Sequence, residues 1–175
     1  MGKDSRESIE EIGFKDIKVK NVMNKKTRLI WYVIIGGFIL MQAYPTVRPS
    51  VEFDNPADLL INEEVPAEIG ALLKSACYDC HSNESVYPWY SYVAPVKWLV
   101  YRDIVEGRKK LNFSLWKTMS SDDQADVLYE IAEEVKEGDM PMKIYPLTHP
   151  DAKLSDNDRK KLANWAELLA ENVYN

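Results

Sequence analysis

The feature that most constrains this chain is its pair of cysteines, Cys77 and Cys80, which are the only two among 175 residues and lie three positions apart. A disulfide between them would close a very short loop and contribute little as a staple, so a disulfide scaffold is excluded. The fold must therefore be stabilised by ordinary packing or by a bound group.

Beyond residue 66 the apolar pattern is helical, and no strand-like alternation interrupts it. The predicted helices run from Pro66 to the cysteines, from Pro95 to Glu106 before Gly107, from Ser121 to Glu137 before Gly138, and from Ser155, which resembles a capping box with Asp158. We predict an all-α fold. Four short helices and long connections give a thin hydrophobic core, which indicates that something else fills the interior.

The N-terminal part has a different character. Residues 1–28 form a basic tail, residues 29–44 carry no charge, and residues 45–66 contain four prolines and are expected to form an extended linker. We expect 29–44 to be a single transmembrane helix, with a cleaved signal sequence as the alternative. Positive charge before this segment predicts a cytoplasmic tail and export of the domain at 67–175.

Charge is distributed unevenly, with a net +4 over residues 1–50 and −10 over residues 51–175. An acidic body repels phosphate backbones, so nucleic-acid binding is not expected. Acidic residues near the end of the third helix are interpreted as a solvated face, with steering of a basic redox partner as the alternative: Glu130, Glu133, Glu134, Glu137 and Asp139.

The segment Cys77-Tyr78-Asp79-Cys80-His81 has the CxxCH spacing of c-type haem attachment. Two thiols on one helical turn can form thioethers with the haem vinyl groups, and the adjacent imidazole can bind the iron. A redox dithiol would be expected in a βαβ context, and a zinc site would require His149 as a distant fourth ligand. We therefore predict one covalently attached haem c, with His81 as an axial iron ligand.

The second axial ligand is expected in the loop Gly138-Asp139-Met140-Pro141-Met142, because a methionine sulfur can bind haem iron. Met140 is preferred because the following proline stiffens the loop. Met142 and His149 remain alternatives, and so does an open position.

An aromatic segment supplies further candidates for contact with the haem. These candidates are Tyr87, Trp89 and Trp98. Ordinary core packing is the alternative role for the three rings. Asn83 is expected to order the turn after His81.

Several separated motifs together resemble the bacterial haem-binding domain family of cytochrome c-like proteins. They are Cys77 to Asn83, Tyr87-Pro88-Trp89-Tyr90, Ala94-Pro95, Glu106-Gly107-Arg108 to Leu111-Asn112-Phe113-Ser114, Gly138-Asp139-Met140-Pro141, and His149-Pro150 with Leu154-Ser155. The resemblance covers about residues 45–172. It implies a small cytochrome c-like domain with a mono-haem c-type site and with Met140 at the Met-Pro position.

The leading functional hypothesis is one-electron transfer by a membrane-tethered mono-haem cytochrome, held at the bacterial inner membrane with its haem domain in the periplasm. The alternative is haem-based sensing or binding of a small ligand at a displaceable distal position. A peroxidase-like enzyme would need a distal acid/base pair, so we expect an electron carrier rather than a catalyst.

Overall fold

The computed structural model describes residues 24–174, and all regular structure within this range is helical. The predicted all-α class is confirmed. The α-helices are α1 (Lys25–Gln42), α2 (Leu59–Asn62), α3 (Ala67–Ala76), α4 (Tyr78–His81), α5 (Val96–Lys110), α6 (Ser121–Glu137), α7 (Tyr145–Thr148) and α8 (Asp156–Tyr174). Short 3₁₀ helices cover Trp89–Tyr92, Phe113–Thr118 and Pro150–Ala152.

The chain divides into two compact units, Met1–Leu40 and Met41–Asn175. Helix α1 makes up most of the described part of the first unit, and residues 1–23 of the predicted basic tail lie outside the described residues. Three of its first four residues are cations, so the uninterrupted uncharged part of the helix is residues 29–42. Between residues 24 and 174 no helix is long and apolar enough to cross a membrane, so the predicted transmembrane helix at 29–44 is not confirmed.

The second unit is built around the pair α6 and α8. Helix α6 buries Ala125, Leu128, Ala132 and Val135, and α8 buries Leu162, Ala163, Ala166 and Ala170. Alanines on both faces allow the two backbones to approach closely, which increases contact per residue. Gly138 ends α6 with φ 81°, and Ser155 and Asp158 cap α8 reciprocally, so both predicted boundaries are confirmed.

Residues 55–62 belong to this unit, which corrects the prediction of an extended linker over 45–66. Leu59 is fully buried, and the Asp58 carboxylate caps α2 by accepting from the Leu60 amide at 2.9 Å. The Lys117 amide donates to the Ala57 carbonyl at 2.9 Å. A helix of four residues is too short to show a periodic pattern, which is why α2 is not predicted.

Helix α5 also departs from its prediction. It continues through Gly107 to Lys110, and it buries Tyr101 and Ile104, whereas the apolar residues Val96 and Leu99 are exposed. Gly107 is therefore an interior helix residue and not a stop. The reason lies in what α5 packs against, which is the turn that carries the cysteines.

Candidate functional site: a cavity at the CxxCH turn

The CxxCH segment folds as a short helical turn at the end of α3. Cys77 ends α3 and begins α4, and its carbonyl accepts from the amides of Cys80 at 3.2 Å and His81 at 2.9 Å. Helical geometry therefore brings both thiols and the imidazole onto one turn, as the spacing predicts. Both cysteines are free and half-buried.

Tyr78, between the cysteines, anchors this turn in the core. Its ring is buried and stacks on Phe113 with centroids 5.1 Å apart, and its hydroxyl donates to the buried Asp58 carboxylate at 2.8 Å. The second carboxylate oxygen of Asp58 accepts from the Ser114 hydroxyl at 3.3 Å. Because both oxygens have partners, the buried carboxylate is satisfied and fixes the orientation of α4.

Asn83 orders the turn that follows His81, as predicted. Its amide donates to the Ser114 hydroxyl at 3.0 Å, and its side chain donates to the Asn55 side chain at 3.3 Å and accepts from that of Asn112 at 2.9 Å. These bonds link three separate segments of the chain behind the histidine. They hold the turn by hydrogen bonds to residues that are about thirty positions away in the sequence.

Helix α5 touches the other side of the turn at Gly107. A β-carbon at this position would lie 2.7 Å from the Cys80 carbonyl oxygen, closer than real side chains come. Glycine is therefore required here for close approach. One turn later, the Leu111 carbonyl accepts a hydrogen bond of 3.2 Å from Nδ1 of His81.

That hydrogen bond determines the state of the imidazole. With the proton on Nδ1, the lone pair is on Nε2, which is the arrangement found in most metal-binding histidines. Burial lowers the pKa of His81, so the ring is held neutral, while the bond to the Leu111 carbonyl acts in the opposite direction. His81 is thus prepared to bind a metal through Nε2.

A cavity of about 480 Å³ opens beside the turn, within the usual range for a bound organic group. Cys77, Cys80, His81, Met140 and Met142 all line it. The other lining residues are mainly apolar, with a group of carboxylates at the rim, one lysine and one tyrosine. They are Ala76, Asp103, Glu106, Gly107, Lys110, Leu111, Phe113, Val127, Glu130, Ile131, Glu133, Glu134, Val135, Pro141 and Tyr145. The two predicted halves of the site, CxxCH and the methionine loop, are brought together.

The methionine loop is fixed at its N-terminal end. Arg159 of α8 donates to the carbonyls of Met140 at 2.8 Å and Val135 at 3.0 Å, and the Met140 amide donates to the Glu134 carbonyl at 3.2 Å. Met140 and Met142 are both half-buried, while Pro141 between them is buried. Both sulfurs therefore remain candidates for the distal position.

The three aromatic candidates and His149 lie elsewhere. Trp89 is 79% exposed, the Tyr87 hydroxyl donates to the Pro49 carbonyl at 3.0 Å, and Trp98 packs edge-on to Tyr44 in a separate shallow groove. His149 stacks on Tyr145 with centroids 4.1 Å apart. None of the four lines the cavity. Phe113 and Tyr145 are the aromatic residues that do, and only tertiary contacts reveal them.

The competing uses of the cysteines do not fit the site. Burial raises the pKa of Cys77 to about 12 and that of Cys80 to about 11, whereas redox-active thiols have a lowered pKa. Within the described range, no group of three or more His, Cys, Asp and Glu side chains is arranged to hold a metal ion. His149 is turned towards Tyr145 and Thr148, away from the role of a fourth zinc ligand.

The rim of the cavity is acidic. Glu130, Glu133 and Glu134 line it from α6, and Asp103 and Glu106 line it from α5. Among the described residues that line the cavity, Lys110 is the one cation. A rim with this charge attracts basic proteins and repels acidic ones.

Fold and site together define a small helical domain in which the CxxCH turn and the methionine loop face one largely apolar cavity. Residues 36–168 match the family described as haem-binding domain. Because the match covers well over half of the chain, the chain belongs to the haem-binding domain family, and the resemblance drawn from the motifs is confirmed. No curated protein and no solved structure gives a significant match.

The residues present fit a haem. The cavity combines an apolar lining, a neutral imidazole with its Nδ1 proton already bonded, two thiols on the same turn and two thioether sulfurs on the facing loop. Cys77, Cys80 and His81 would hold the group from one side, and Met140 or Met142 from the other. An apolar ring system would also fill space that the helices leave open.

Proposed function

We propose that this domain carries one haem bound covalently through Cys77 and Cys80, and that it transfers single electrons. The observation that carries the proposal is that both thiols, the His81 imidazole and the methionine loop line the same cavity. When bound, haem supplies an iron that gains and loses one electron. Cys77 and Cys80 would attach it, and His81 and Met140 would bind its iron.

Attachment requires only addition chemistry. Cys77 and Cys80 would hold a haem through thioether bonds to its two vinyl groups, and in such an addition the thiol proton would pass to the second vinyl carbon. No electrons are gained or lost, and nothing leaves. Helix α4 is suited to this reaction because Tyr78 and Gly107 hold the turn firmly from two sides.

Held axial ligands favour electron transfer over ligand binding. The His81 ring is fixed by the Leu111 carbonyl, and the backbone of Met140 is fixed by Arg159. A metal site whose ligands move little between oxidation states exchanges electrons with a small rearrangement, and a His/Met pair raises the reduction potential. We assign the distal sulfur to Met140, with Met142 as the alternative.

The acidic rim of the cavity favours a redox partner with a basic surface. Glu130, Glu133 and Glu134 are exposed and line the cavity, so a basic protein would be steered towards the mouth of the cavity. The predicted membrane association and periplasmic location of the domain stay predictions.

The proposal is tested by absorption spectra of the full chain, produced together with a c-type haem maturation system. In the oxidised protein we expect the weak charge-transfer band of methionine-to-iron coordination, and in the reduced protein no uptake of carbon monoxide. Met140→Ala should abolish the band and admit carbon monoxide, whereas Met142→Ala should not. Met119→Ala is the matched control, because Met119 packs against the core and does not line the cavity.

Ready uptake of carbon monoxide by the unaltered protein would favour haem-based ligand binding instead. A charge-transfer band that survives both Met140→Ala and Met142→Ala would overturn the assignment of the distal ligand.

A further inference from the structure

Asp79, the second residue between the cysteines, connects the attachment turn to the far side of the cavity. Its Oδ2 accepts a hydrogen bond of 2.6 Å from the Tyr145 hydroxyl, and its Oδ1 accepts from the Val86 amide at 2.8 Å. The Asp79 carbonyl accepts from the Ser85 hydroxyl at 2.5 Å. Asp79 is therefore held in one orientation, with one oxygen directed at Tyr145.

Tyr145 lies three residues after Met142, the last residue of the methionine loop. It is the first residue of α7, its amide donates to the Met142 carbonyl at 2.8 Å, and its side chain lines the cavity. Its ring stacks on His149, with an interplanar angle of 16°. The Tyr90 hydroxyl in turn lies 3.4 Å from Nε2 of His149. The ring is thus confined by its neighbours, and its hydroxyl points back to the CxxCH turn.

These contacts give the methionine loop two anchors. The first is Arg159, which holds the Met140 carbonyl from α8. The second is Tyr145, which ties the other end of the loop to α4 across 66 positions of sequence. A loop anchored at both ends has few backbone conformations available, so the positions from which the Met140 and Met142 side chains extend are held in place.

We propose that Tyr145 is a positioning residue that holds the methionine loop against the haem site through its hydrogen bond to Asp79. The inference rests on the proposed function, because it assigns Tyr145 a role towards the distal ligand. Burial and the bond to Asp79 raise the pKa of Tyr145, so the hydroxyl remains a donor. Tyr145 contacts the methionine loop through its bond to the Met142 carbonyl, so any effect of Tyr145 on the haem iron would be exerted through the methionine ligand.

The test is Tyr145→Phe in the full haem-loaded chain. The ring and its stacking on His149 are kept, and only the hydroxyl is removed. We expect the equilibrium between bound and unbound methionine to shift about tenfold towards the unbound form, as loss of one hydrogen bond to a charged acceptor predicts. The methionine charge-transfer band should therefore weaken, and the reduced protein should begin to take up carbon monoxide. Tyr90→Phe removes a hydroxyl from the same aromatic group but leaves the Asp79 bond, so its spectrum should match the unaltered protein.

Asp79→Ala breaks the same bond from the other side and should produce the same spectral change. Asp79→Ala also removes the acceptor of the Val86 amide, so the double variant should be little worse than Asp79→Ala alone, in which the bond to Tyr145 is already lost. If Tyr145→Phe and Asp79→Ala both keep the band and the carbon monoxide affinity of the unaltered haem protein, the positioning role is wrong and the proposed function stands. If the unaltered chain carries no covalent haem, both fail together.

Discussion

Gly107→Ala tests the packing of α5 on the CxxCH turn. Alanine is a better helix former than glycine by about 0.5–1 kcal/mol, so in an open helix this change would stabilise the protein. At Gly107, however, the new methyl group would lie 2.7 Å from the Cys80 carbonyl oxygen and 3.3 Å from the Cys80 β-carbon. These atoms belong to the turn itself and cannot rotate away, and overpacking of this kind costs about 1–3 kcal/mol.

Gly70→Ala is the matched control, because Gly70 also lies inside a helix but its β-carbon would meet only Leu60 Cδ2 at an ordinary 3.7 Å. Both variants share the gain in helix propensity, so the difference between their free energies of unfolding isolates the clash, about 1–3 kcal/mol. With an m-value of about 2 kcal/mol/M, their urea midpoints should differ by about 0.5–1.5 M, with Gly70→Ala the more stable. Circular dichroism of the haem-loaded chain measures both. Equal midpoints would refute the close approach of α5 to Cys80.

Three further changes probe the support around the site. Asp58→Ala removes the cap of α2 and the acceptor of the buried Tyr78 hydroxyl, so the free energy of unfolding should fall by about 2–4 kcal/mol in urea titration; a loss under 1 kcal/mol would contradict the buried network. Gly138→Ala places a side chain at φ 81° and should cost about 1–2 kcal/mol, whereas alanine at Ser121, the first residue of the same helix, should change stability by less than about 0.5 kcal/mol. Arg159→Ala should weaken the methionine charge-transfer band, because it removes the one guanidinium nitrogen, Nη1, that donates to both the Val135 and the Met140 carbonyl; an unchanged band would show that this anchor is dispensable.

Local patterns predicted a large part of the structure. Helix α6 has the predicted bounds of Ser121 and Glu137, because apolar spacing, a serine cap and a terminal glycine all act within one helix. The CxxCH turn is equally local, since three side chains within five positions must lie on one turn. These features need no knowledge of distant segments.

The parts that were missed depend on tertiary contacts. The sequence pattern predicts that Gly107 ends a helix, yet the glycine is needed because the Cys80 carbonyl, 27 positions earlier in the chain, packs too close for a β-carbon. Asp58 looks like a linker residue and is instead the buried acceptor for Tyr78. Tyr145 gave no signal, because its partner Asp79 is identified only once the chain is folded.

The aromatic prediction shows the same limit. Tyr87, Trp89 and Trp98 are predicted to contact the haem because aromatic rings with a polar group could line it, but none of the three lines the cavity. Proximity in sequence does not determine which ring faces a site. The two rings that line the cavity, Phe113 and Tyr145, lie on segments more than thirty positions beyond His81.

The most direct measurement is the intact mass of the denatured chain after acidic organic extraction, which removes haem that is merely bound. Protein made with a functioning maturation system should keep the mass of one porphyrin. The variant Cys77→Ala/Cys80→Ala should lose it all. A chain that yields its haem entirely to the solvent, or a double variant that still retains it, would contradict attachment through this turn.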